Sequence, residues 1–134
     1  MRLWHEELLS ILPRQQLLGQ HRECCALRGY GWGKSHSVVN YVFRYSRERL
    51  WFYHMQVMHE MQRRGYNPES CWFDPGYRGK SAPQFEPNYR EIQRLKEDQS
   101  RMSFVYPEHD NEYLMECLAN LRSKGVNLPV RSTP

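Results

Sequence analysis

The stretch SRERLWFYHMQVMHEMQRR, residues 46–64, has the clearest periodicity in the chain. Leu50, His54, Val57, Met58 and Met61 recur at the spacing that lines one side of a helix, and Gly65 follows where a C-cap belongs. A long helix from about 46 to 64 is therefore expected. On its N-terminal side, LPRQQLLGQHRECCALR (12–28) places Pro13 at a first-turn position and Leu17, Leu18, Cys24 and Cys25 on one helical face. The opposite side carries Gln15, Gln16, Gly19, Arg22, Glu23 and Ala26, a polar and small-residue series on which a polar partner can dock. On the C-terminal side, YREIQRLKEDQSRM (89–102) and DNEYLMECLANLRSK (110–124) read as two more amphipathic helices. The second has Asp110 as N-cap and Gly125 as C-cap.

Between these helices the sequence is less regular. VVNYVF, residues 38–43, has strand propensity. The loop GYGWGKSHS (29–37) is rich in glycine, but a helix precedes it where a phosphate cradle would need a strand, so it reads as a connector. Residues 66–89 hold four prolines and several aromatics and read as an irregular, aromatic-pinned crossing. The expected class is all-α: one compact domain over residues 1–134, with about four helices and long irregular loops.

The 134 residues fit one core, and Lys plus Arg exceed Asp plus Glu by 19 to 15, a net charge of +4 that suits an anionic partner without requiring one. His5, Glu6 and Glu7 interrupt the first residues where a signal peptide needs an apolar run. A cytoplasmic chain without membrane association is expected. Cys24, Cys25, Cys71 and Cys117 form no CxxC pair, and Cys24 and Cys25 read as small buried hydrophobes. His54 and His59 lack zinc spacing, and no carboxylate or cysteine is expected to complete a site around them.

The run QQLLGQHRE, residues 15–23, with Arg2 near the start, resembles the phage pyrimidine-dimer DNA glycosylase family, also called endonuclease V. The match falls on Gln15, Leu17, Leu18, Gly19, Arg22 and Glu23. RRGYN, residues 63–67, resembles the end of that family's long second helix. The chain departs from the family at several positions. Met1 precedes Arg2 where the family exposes a threonine, Gln16 replaces a histidine, and Ala26 replaces an arginine for which Arg28 is the nearest substitute. The family's aromatic C-terminal tail gives way to the helix that begins at Asp110.

The resemblance implies a compact all-α enzyme without disulfides, metal or other cofactor, working as a monomer on damaged double-stranded DNA. It implies cleavage of a lesion's glycosidic bond and then of the strand. The catalytic residues would be Met1, through its α-amine, and Glu23. An α-amine is the free base far more often than a lysine at neutral pH, since their reference pKa values are about 8 and about 10.4. Its attack on the sugar carbon displaces the base and leaves an iminium, and a carboxylate beside it handles the protons of ring opening and elimination. Arg2 and Arg22 are expected to hold phosphate oxygens, with Gln15, Gln16, Arg28, Lys34 and His36 as further DNA contacts. Tyr30, Trp32 and the aromatics of 72–77 are candidates for wedging the duplex open. The arginines at 44, 47, 49, 63 and 64 either track phosphates or solvate the second helix.

Two rival readings remain at this point. One is a non-catalytic helical DNA- or RNA-binding protein; the other keeps the same glycosylase and lyase mechanism with another damaged or modified base.

Overall fold

A computed structural model describes residues 2–34, 39–101 and 104–129. Among them are four α-helices and no strand: α1 (Arg14–Arg28), α2 (Arg47–Arg63), α3 (Tyr89–Ser100) and α4 (Asn111–Ser123). The expected all-α class is what the chain adopts. Short 3-10 turns occur at Glu6–Leu8, Asn40–Arg44 and Ser70–Phe73. Among the described residues no helix is long and apolar enough to cross a membrane.

Each helix begins and ends for a local reason. The Ser46 hydroxyl caps α2 by accepting from the Arg49 N–H, and the Asp110 carboxylate caps α4 by accepting from the Tyr113 N–H. Helix α2 stops at Gly65, whose φ of 86° lies in the left-handed region, and the Tyr66 N–H folds back onto the Met61 carbonyl at 2.8 Å.

Helices α1 and α2 pack together, and α3 lies against α2. Leu17, Cys24 and Leu27 from α1 meet Leu50, Tyr53 and Val57 from α2 in a core that also holds Leu3 and Leu8 of the N-terminal segment. Helix α4 adds Leu114, Cys117, Leu118 and Leu121. The strand propensity of 38–43 is overruled where the structure describes it, from Val39 onward. With no strand to pair with, these residues satisfy their N–H groups locally, Val42 to the Val39 carbonyl and Tyr45 to the Val42 carbonyl. Tyr41 then enters the core and reaches Nε2 of His109 at 2.8 Å.

The long crossing after α2 is pinned by a cation. Arg28, 5% exposed, donates from Nη1 to the Trp72 carbonyl (2.7 Å) and from Nη2 to those of Asp74 (2.8 Å) and Tyr77 (3.1 Å). Its guanidinium also lies 5.1 Å from the centre of the Trp72 ring, which stacks edge-on against Tyr77. Burial lowers the Arg28 pKa to about 10, which leaves the side chain charged at neutral pH. Exchange of Arg28 for Met removes the donor to three carbonyls, each a hydrogen bond to a charged group. In urea denaturation Arg28→Met is expected to lose about 3 kcal/mol, and limited proteolysis should cut it first within residues 66–88. Unchanged stability and an intact loop would contradict this account of the crossing.

Candidate active site

The N-terminal segment lies against α1 through one amide side chain. Gln20 is 1% exposed. Its Oε1 accepts from the Trp4 N–H at 2.6 Å, and its Nε2 donates to the Arg2 carbonyl at 3.0 Å and to Glu23 Oε2 at 3.2 Å. The Tyr53 hydroxyl of α2 donates to the Trp4 carbonyl at 2.6 Å and lies 2.9 Å from Gln20 Oε1. Helix α4 holds the other edge of the segment, where the Tyr113 hydroxyl donates to the Leu3 carbonyl at 2.5 Å. Residues 2–4 are thus gripped from α1, α2 and α4 together.

This grip brings the segment to Glu23. The Arg2 N–H points to Glu23 Oε2 at 3.5 Å. Glu23 is partly buried, and desolvation raises its pKa above the usual carboxylate range. The Arg2 N–H, the amino-terminal charge, Lys124 and Arg22 pull in the other direction. Elsewhere on α1, Arg14, Gln15, Leu18 and Arg22 line an open recess of about 390 Å³. Gln15 and Arg22 are exposed there, and the Arg14 guanidinium lies over the Tyr66 ring at 5.6 Å.

The residues singled out in the sequence are therefore distributed unequally. Arg2 and Glu23 meet, and Gln15 and Arg22 share the recess. Gln16 is partly buried on α1 and Lys34 is exposed beyond its end. Met1 and His36 lie outside the described residues. Two of the expected phosphate contacts, Arg28 and Arg2, have internal partners. Arg28 is buried and spent on loop carbonyls, because it closes the crossing from inside. The Arg2 side chain turns onto α4, 3.6 Å from Glu116 Oε1 and between the Trp4 and Tyr113 rings, so what it brings to the site is its backbone.

Most α2-flanking arginines also serve internal partners. Arg63 and Arg64 both hold Glu60, Arg44 pairs with Glu108, Arg49 donates to the Val105 carbonyl, and Arg47 stacks on Trp32. Among the wedge candidates, Trp32 stacks with Arg47 and Trp72 with Arg28, while Tyr30 is 59% exposed with its hydroxyl donating to the Ser81 carbonyl at 2.8 Å.

Gln20 and Arg14 were missed from sequence. Gln20 looks like one more polar residue of a polar helix; only its spacing of three from Glu23 hinted that the two share a face. A further grouping also escaped, because it joins two helices. His21 and Cys25 of α1 approach His54 of α2, with one ligating atom from each lying within 4.8 Å of the others. No cysteine was expected to complete a site around His54, yet Cys25 lies near it.

The fold is all-α, and a carboxylate of α1 is held against the N-terminal segment. A family model described as pyrimidine dimer DNA glycosylase matches residues 1–74, which span the N-terminal segment, α1, α2 and the first part of the crossing. The chain belongs to the pyrimidine dimer DNA glycosylase family. No curated protein and no solved structure matches it.

The raised pKa of Glu23 has a sign that can be checked without substrate. The folded state holds this proton more tightly than the unfolded chain, so stability falls as pH rises from the ordinary carboxylate pKa through the raised one. A Glu23→Gln protein keeps a neutral acceptor and escapes that loss. Denaturation as a function of pH should find Glu23→Gln more stable than the parent at neutral pH, with the difference closing as pH falls. A parent that is the more stable of the two at neutral pH would contradict the desolvated carboxylate.

Proposed function

We propose that this chain is a DNA repair glycosylase with abasic-site lyase activity, acting on pyrimidine dimers in duplex DNA through a Schiff base on its N-terminal α-amine. The observation that carries the reading is the approach of the Arg2 N–H to Glu23 Oε2 at 3.5 Å, with Gln20 bonded to both residues. The amine of the residue before Arg2 is three covalent bonds from that nitrogen, hence within about 4 Å of it. A terminal amine and a carboxylate with a raised pKa are the two groups this chemistry needs.

The free amine attacks C1′ of the damaged nucleotide, and the base departs with the glycosidic electron pair and takes up the proton that the attacking nitrogen sheds. The sugar ring then opens as its oxygen takes a proton, leaving an iminium between C1′ and the amine. The iminium acidifies C2′. Loss of a C2′ proton expels the 3′ phosphate by β-elimination, and water releases the enzyme. Glu23 delivers the first proton and removes the second, and in its ionised form it stabilises the iminium cation. Its raised pKa suits both tasks, since protonated and ionised forms are then accessible nearer to neutral pH.

Arg14, Gln15 and Arg22 line one recess on α1, which can receive backbone phosphates. Gln16 and Lys34 extend the basic and polar surface, and His36 is retained as a further contact. Arg2 and Arg28 act by holding the scaffold. Tyr30 has the exposure that stacking against an unpaired base requires.

Incision of an ultraviolet-irradiated duplex tests the assignment. Glu23→Gln should cut at least about 100-fold more slowly, the usual range for loss of a general acid–base, while its affinity for the same duplex is kept. The parent's rate should fall as pH rises through a pKa above the ordinary carboxylate range, because the proton that Glu23 delivers is then lost, and that limb should vanish in the variant. Incision by Glu23→Gln at the parent rate would remove Glu23 from the mechanism.

A further inference from the structure

On the flank of α1 away from Glu23, we propose a binding site for a late first-row transition metal ion such as zinc, with His21 Nδ1, Cys25 Sγ and His54 Nε2 as its protein ligands. His21 and Cys25 are one helical turn apart on α1, and His54 faces them from the middle of α2. His21 Nδ1 and His54 Nε2 are 2.8 Å apart, and Cys25 Sγ lies 3.9 Å from His21 Nδ1. Tetrahedral zinc, with bonds of about 2.0 Å to nitrogen and 2.3 Å to sulfur, separates two nitrogens by roughly 3.3 Å and a nitrogen from a sulfur by roughly 3.6 Å. Those two sides need adjustments of about half an ångström to match that tetrahedron, and the third, from Cys25 Sγ to His54 Nε2, is within 4.8 Å. Two imidazoles and a thiolate favour zinc, cobalt or copper over magnesium or calcium.

The hydrogen bonds show what an ion would replace. Arg28 Nη1 donates to His54 Nδ1 at 2.9 Å, which leaves the ring proton of His54 on Nε2, directed at the free electron pair of His21 Nδ1. The ion takes the place of that proton. His54 then carries its proton on Nδ1, and Arg28 gives up this contact while keeping the Trp72 carbonyl, 2.7 Å from the same Nη1. Cys25 releases its thiol proton to solvent, so one proton is lost per ion bound. His21 and Cys25 are only partly buried, which leaves a route in and a fourth position open to solvent. Arg28 opposes a cation here, whereas Glu69, close enough to act electrostatically on both His21 and Cys25, favours one.

Bound there, an ion would lock α1 to α2 where Arg28 also pins the crossing, since the His54 ring lies 5.9 Å from that of Trp72. The role is structural, because Glu23 stands on another flank of α1. It is independent of the glycosylase reading.

Titration of the purified full chain with Co²⁺ tests the site. One equivalent should give the visible bands of a tetrahedral ion and a thiolate-to-cobalt charge-transfer band, all displaced by Zn²⁺. Cys25→Ser should abolish the charge-transfer band, and His54→Gln should weaken binding at least 100-fold. Both variants are to be checked for parental helicity by circular dichroism. Zn²⁺ should raise the Tm of the parent and leave that of Cys25→Ser unchanged, a readout that stands even if His54→Gln folds poorly. Absence of the charge-transfer band in the parent, or its survival in Cys25→Ser, would overturn the proposal.

Discussion

A single buried amide sets the geometry on which the rest of the site depends. Gln20 has two donors and an acceptor, and all are used, on Trp4, Arg2 and Glu23, inside a region where an unmet polar group is costly. The arrangement permits one register of the N-terminal segment. Sliding the segment by a residue would leave the amide facing the wrong backbone groups and would drag Leu3, which is fully buried, out of the core. Tyr53 and Tyr113 impose the same register from α2 and α4. The approach of Arg2 to Glu23 is therefore a consequence of core packing, while burial of the carboxyl lifts its pKa against the pull of the Arg2 N–H.

A second node, Arg28, does for the crossing what Gln20 does for the N-terminal segment. Both sit on α1, on different flanks, so one helix organises the site on one side and the long loop on the other. The division explains why the fold spends cationic side chains internally. Arg2 and Arg28 are anchors, whereas Arg14 and Arg22 on α1 are exposed. Helix α4 supplies Tyr113, Glu116 and Cys117 to the Arg2 side chain and brings Lys124 over the Trp4 ring. It braces the segment from the side opposite α1.

What the sequence made legible follows from how local each signal is. The C-terminal end of α2 and both ends of α4 could be read because Gly65, Asp110 and Gly125 act within a turn of themselves. The all-α class followed from apolar spacing in those helices. Glu23 was legible through a compact motif, QQLLGQHRE. Signals that depend on tertiary partners were not. Residues 38–43 carry strand propensity, yet none of the described residues offers a strand for pairing. Arg28 reads as a basic residue at a helix end, and only the folded loop reveals three carbonyls around it. Gln20 has no distinguishing local pattern, and the meeting of His21 and Cys25 with His54 requires two helices to be docked first.

The central claim is that the chain's own first amine is the nucleophile beside Glu23. Peptide mapping by mass spectrometry, after borohydride reduction of the full chain mixed with a duplex carrying an abasic site, addresses it directly. The account predicts a covalent sugar adduct on the peptide containing Met1, attached at its α-nitrogen and absent when that amine is blocked beforehand. An adduct on a lysine side chain, or none on a duplex that the protein nevertheless cuts, would contradict it.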